Sequence, residues 1–197
     1  MRYLLVAALV ASNTPGVPVP STPPAAPFAA AVDQEVSRLE AQFVGLAEAM
    51  PESRFEFSPD GLQLPDSDFH GVRTFAAQVR HVAADNFAIW APLTGQPEPE
   101  GIEAPNGPAR MTSRAEILKF LGDSFVYAHR AAAALTSQNA LETVEFRGRP
   151  VTRLSLVALA LTHAMDHYGQ MVVYLRMCGV APPGSRPRPT PTPGGRS

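Results

Sequence analysis

"LTHAMDHYGQMVVYLRMCG" (residues 161–179) decides the reading of this chain. The stretch is mostly apolar and runs into Gly179 with Pro182 beyond, the usual signals that end a helix. Within it, His163 and His167 stand four residues apart. A helix turns about 100° per residue, so positions four apart lie about 40° apart on one face. Leu156, Leu159, Ala160, Gln170, Tyr174 and Met177 share that face, which should therefore point inwards. The opposite side, with Leu154, Leu161, Met165 and Val172, is apolar as well. A helix apolar all round is enclosed on several sides. This predicts a bundle core together with a homodimer contact.

Proline sets the limits of the rest. Six of the 21 prolines fall in residues 15–27 and six in 182–193, so both ends read as extended tails. Proline-free stretches remain at 28–50, 66–91, 109–149 and 151–181. Helix interiors tolerate proline badly, so the spacing predicts four helices. The first carries Val32, Val36, Leu39, Phe43, Leu46 and Met50 at spacings of three and four and stops at Pro51. A second runs from Thr74 to Ala91 and stops at Pro92. Ser113 with Glu116 forms a capping box for the third, which reaches about Leu135. The fourth spans Thr152 to Gly179. "VEFRGRPV" (144–151) reads as one short extended piece, too little for a sheet. The predicted class is all-α, a four-helix bundle with long crossover connections.

Composition narrows the function. Hydrophobic content of 45% and charge of 17% are those of a globular domain. A net charge of −2 argues against a nucleic-acid partner, which selects a basic face. No apolar run approaches the roughly 20 residues of a membrane span, so no transmembrane anchor is expected. The single cysteine, Cys178, excludes an internal disulfide framework and any CxxC zinc site. Met1-Arg2 followed by the apolar run Tyr3 to Ala11 reads as an export signal. Its best small-residue cleavage match, Ala29-Ala30-Ala31, lies far from that run. Residues 1–31 are thus expected to be a signal peptide and leader, 32–183 the domain and 184–197 a proline-rich tail. The expected location is periplasmic or secreted, with the cytoplasm as the alternative.

The five histidines carry the chemistry. Two buried imidazoles on one helix face must find partners for four nitrogens, and a metal ion solves that problem. Taken alone the spacing is a weak signal, and a hydrogen-bonded core is the more usual reading of it. It is not the metalloprotease pattern, because HExxH has a glutamate where this chain has Ala164. His81, in "QVRHVAADN", lies on a helix face of small residues with Thr74, Ala77, Gln78, Ala84, Asp85 and Ala88. Another helix could approach that face closely. His70, in a loop, and His129, on the third helix, read as structural.

"RTFAAQVRHVAADN" (73–86) with "LTHAMDHYGQMVVYLRMCGVAPP" (161–183) resembles the DinB-like family of helical-bundle proteins. The likeness runs from about Val32 to Pro183 and includes "MPESRFEFSP" (50–59). It implies an up-down-down-up bundle, often dimeric. It also implies a divalent transition metal, zinc or nickel, held by His81, His163 and His167. Three protein ligands with open positions are the arrangement of a catalytic site. The resemblance further implies a metal-dependent hydrolase or a thiol-dependent transferase acting on a small molecule. The rival is a non-catalytic module that holds a small ligand or the metal itself. Asp85, Asp166 and Gln170 are the candidates for carboxylate and amide support around the ligands.

Overall fold

The computed structural model describes residues 27–62, 64–102 and 106–185. Four helices carry the fold: α1 (Pro27–Ala49), α2 (Phe75–Thr94), α3 (Arg114–Ala133) and α4 (Arg153–Met177). The protein is all-α, a four-helix bundle, as proline spacing predicts. The stretch read as an export signal, Met1–Ala11, and the proline-rich tail at 186–197 lie outside the described residues.

Local chemistry fixes the helix ends. The Thr74 side chain accepts from the Ala77 N–H, and that of Thr152 from the Ser155 N–H. Ser113 and Glu116 close the expected capping box on α3. Gly179, at φ 75°, turns the chain off α4, and the Val180 N–H donates back to the Leu175 carbonyl at 2.9 Å. Two boundaries differ from expectation. Helix α1 begins at Pro27 rather than Val32, because proline fits the first helical position, where its missing N–H costs nothing. The Ala29–Ala31 stretch is therefore helical, with Ala29 buried. Helix α2 continues through Pro92 to Thr94, since a proline in the last turn removes a single bond before Gly95 closes the helix.

Packing pairs α1 with α3 and α4, and α2 with the same two. His129, late in α3, meets Asp33 and Glu40 early in α1, so these helices are antiparallel. Contacts of Asp85 with His163 and of Tyr174 with the Arg73 carbonyl set α2 antiparallel to α4. Phe87–Phe120 and Thr94–Tyr127 contacts set α2 parallel to α3. The order is up-down-down-up.

Helix α2 is the enclosed one. Ala76, Ala77, Ala83 and Ala84 are buried on it and let its neighbours approach on two sides. The all-round burial expected of α4 does not occur: its buried stripe runs through Leu156, Ala160, Ala164, His167, Met171 and Leu175. His163 sits at the edge of that stripe. Leu159 and Met177, expected inside, fall beyond it and are exposed, as are Leu154, Met165 and Val173.

Two connections shape the surroundings of the site. The crossover after α1 presents the carbonyls of Phe57 and Phe55 to the N–H groups of Phe75 and Ala76 at 2.8 and 2.9 Å, satisfying donors that open α2. Before α4, the expected single extended piece is instead an antiparallel hairpin, β1 (Thr143–Phe146) with β2 (Arg149–Thr152), register Phe146 opposite Arg149. Arg147 and Gly148 form its two-residue turn at φ 49° and 75°, the handedness that matches strand twist. Among the described residues, no helix is long and apolar enough to cross a membrane.

Candidate metal centre

Because α2 and α4 run antiparallel, His81 meets His163 and His167 at one level of the bundle. One ring nitrogen from each of the three lies within 4.8 Å of the others. The ring centroids are 4.6 to 5.1 Å apart. His81 Nε2 and His163 Nε2 approach to 3.2 Å. His167 is buried, and His81 and His163 are half-buried.

A chain of side chains behind His167 sets its tautomer. The Asp166 carboxylate can only accept, so the Gln170 amide NH₂ donates to it at 3.1 Å. The Gln170 carbonyl oxygen then faces α2 and takes the Gln78 NH₂ at 2.8 Å. That leaves the Gln78 oxygen 2.6 Å from His167 Nδ1, which must carry the proton and donate. The lone pair of His167 is thereby on Nε2, available to the centre. Burial, with repulsion from His163 and His81, lowers the His167 pKa to about 4. Burial also lowers that of His163. Both rings are therefore neutral at neutral pH, the form that binds metal.

Asp85 reaches the same centre from one turn further along α2. Its Oδ2 lies 3.1 Å from His163 Nε2 and 3.9 Å from His81 Nε2. Its Oδ1 pairs with Arg147 of the hairpin at 3.1 Å. A depression of about 460 Å³ opens beside His81 and Asp85, with Ala88, Ile102 and Phe146 on its wall. A second, of about 620 Å³, lies over Gln78, Gln170 and Tyr174. Arg73 borders both, its Nε donating to Asn106 at 2.7 Å.

The other two histidines stand apart from this centre. His70 is exposed in the first crossover. His129 lies between Asp33 at 2.6 Å and Glu40 at 3.1 Å, tying α3 to α1. Burial opposes its charge, but the hydrogen bonds its ring donates to the two carboxylates, with their negative charge, outweigh this and hold its pKa above the ordinary value. Sequence reasoning placed Gln78 on the right face without giving it a role. A buried glutamine one turn before a histidine was the available signal. Arg147 was missed because the hairpin was.

The donor set fits a divalent transition metal: three imidazoles converge, with the lone pair of His167 aimed inwards by its neighbours. The fold and centre together define a class, an antiparallel helix pair that brings three imidazoles together in a four-helix bundle, with a depression opening beside His81. The sequence model of the DinB superfamily matches residues 8–171, and the chain belongs to that superfamily. A crystal structure of a DinB-like protein from Bacillus cereus is similar at a TM-score of 0.62, covering 78% of this chain and 94% of that one. Its 17% identity speaks for the fold alone. No curated protein matches the chain.

Proposed function

We propose that the protein is a metal-dependent enzyme acting on a small molecule, as a hydrolase or a thiol-dependent transferase, with zinc or nickel held by His81, His163 and His167. The observation that carries this reading is the convergence of three imidazoles beside an open depression, with one tautomer fixed from behind. A metal there supplies Lewis acidity, polarising a substrate oxygen or acidifying a water. The chain's own residues orient and shield. Gln78 keeps His167 Nε2 unprotonated, and Asp85 places a negative charge against His163. Ile102 and Phe146 give the depression an apolar wall for a substrate.

Protein made without a histidine tag, reloaded with zinc or nickel and desalted, should retain about one ion per chain. Turnover is then sought across esters, amides and thiol conjugates, with and without added thiol. Retained metal with no turnover in the whole panel selects the non-catalytic module. Absence of retained metal makes the histidines core residues and removes the proposal.

The exposed side of α4 supports a second proposal, a homodimer. Leu154, Leu159, Met165, Val173 and Met177 are all exposed on it, each losing contact with water if a partner helix packs there. Light scattering at micromolar concentration should give twice the monomer mass. A monomer removes the dimer.

A further inference from the structure

Asp85 bears on the inward nitrogens of the centre, and this decides its role. A carboxylate that merely orients a ligating histidine bonds the ring nitrogen that faces away from the metal. Asp85 Oδ2 instead lies 3.1 Å from His163 Nε2, the nitrogen that itself faces His81 Nε2 at 3.2 Å. The third side of this triangle, Asp85 Oδ2 to His81 Nε2, is 3.9 Å. Atoms bound to one ion at about 2.1 Å stand about 3.4 Å apart on a tetrahedron and about 3.0 Å apart at right angles. The two separations made by His163 Nε2 have the size that donor atoms around a shared ion require, and the third is about 0.5 Å wider than the tetrahedral value.

The hairpin explains how the carboxylate is aimed. Arg147 occupies a two-residue turn with Gly148, both at positive φ, at the tip of a hairpin in an otherwise helical molecule. Its guanidinium lies 5.0 Å from the Phe146 ring centroid and reaches Asp85 Oδ1 at 3.1 Å. With Oδ1 engaged, Oδ2 is the oxygen left for the centre. The side chain of Asp85 is only 17% exposed, whereas that of Arg147 is 63% exposed, so the arginine holds the carboxylate from the solvent side.

Resting on the metal reading above, we propose that Asp85 is a fourth protein ligand of the metal, on the His81–His163 edge, and that Arg147 is the residue that positions it. The centre then carries one negative charge of its own beside three neutral nitrogens. The hairpin serves as the arm that brings Arg147 to it.

Cobalt(II) is the probe, because its visible absorption reports the ligand set directly. Affinity is measured by competition with a chromophoric chelator for the wild-type chain and for Asp85→Asn, Arg147→Ala and Arg147→Lys. Asp85→Asn should lower affinity at least tenfold and alter the cobalt spectrum. Arg147→Ala should lower affinity roughly 10-fold to 100-fold with a smaller spectral change, as loss of an outer partner does. Arg147→Lys should recover part of that loss. Asp123→Asn, at an exposed carboxylate paired with Lys119 on α3, should leave the cobalt spectrum unaltered. If Asp85→Asn fails to keep wild-type helicity, a crystal structure of the metal-loaded wild-type chain decides: Asp85 Oδ2 should lie roughly 2.0–2.2 Å from the ion. An oxygen beyond about 3 Å, outside any bonding distance of that kind, overturns the proposal. So does an Asp85→Asn chain with wild-type affinity and spectrum. In both of those results the three-histidine centre stands, whereas a wild-type chain that takes up no cobalt removes both readings.

Discussion

The chain carrying His163→Ala and His167→Ala retains no stoichiometric zinc or nickel after desalting, and His81→Ala alone lowers occupancy sharply. Each substitution deletes one of three nitrogens that lie within 4.8 Å of one another, leaving too few donors to compete with water. His70→Ala and His129→Ala are the controls. Neither ring belongs to the centre, and His129 is already engaged by Asp33 and Glu40. Gln78→Leu keeps all three ligands but frees the His167 ring to flip or change tautomer. A loss of roughly 10-fold to 100-fold in affinity is expected, the usual effect of removing an outer partner. Acidity acts in a defined direction. His167 titrates at about 4 in the folded chain and near 6.5 when unfolded. Below pH 6.5 the unfolded chain takes up a proton at His167 that the folded one refuses, so the contribution of His167 to apoprotein stability declines as pH falls towards 4. Metal uptake should be flat above that window and collapse below it. Full metal retention in the double variant, measured by elemental analysis, would place the ion elsewhere.

Phe43→Ala lowers stability by about 3–5 kcal/mol, the cost of emptying a large aromatic site in a core. Phe43 is fully buried on α1. Its ring lies 6.2 Å from that of Phe125 on α3 and 5.7 Å from that of Tyr168 on α4. It thus joins three of the four helices. A chain of this size loses about 2–4 °C in melting temperature per kcal/mol, so a fall of about 10 °C is expected. Metal stoichiometry in the cold should not change, because none of the three histidines is on α1. A shift under about 2 °C would mean that α1 is not packed as described.

The helices were legible because their signals are local. Ser113 and Glu116 announce the start of α3 through bonds made within one turn, and Gly179 announces the end of α4. The spacing of Val36, Leu39, Phe43 and Leu46 marks the inner face of α1 in the same way. What was hidden depends on partners distant in sequence. Whether α2 or α4 is enclosed turns on which helix has two neighbours at alanine distance, and both are apolar enough to qualify. Gln78 gains its role only when Gln170, 92 residues away, comes within 2.8 Å. The hairpin was obscured by Pro150, which discourages a strand reading although an edge strand accommodates it. The histidine trio was identified through resemblance; spacing alone left it open.

The sequence of hydrogen bonds from Asp166 to His167 has a consequence for how the surface of α4 is to be understood. Each link in it is directional: reverse one amide and every later group must turn as well. Two solvent-facing side chains on α4, Asp166 and Gln170, therefore write one bit of information, the position of a single proton, into a ring that water scarcely reaches. The message leaves α4, crosses to Gln78 on α2 and returns to α4 one residue from where it began. An exchange at position 166 or 170 that looks harmless by exposure edits that bit, and so the functional boundary of this protein extends to the outside of its fourth helix.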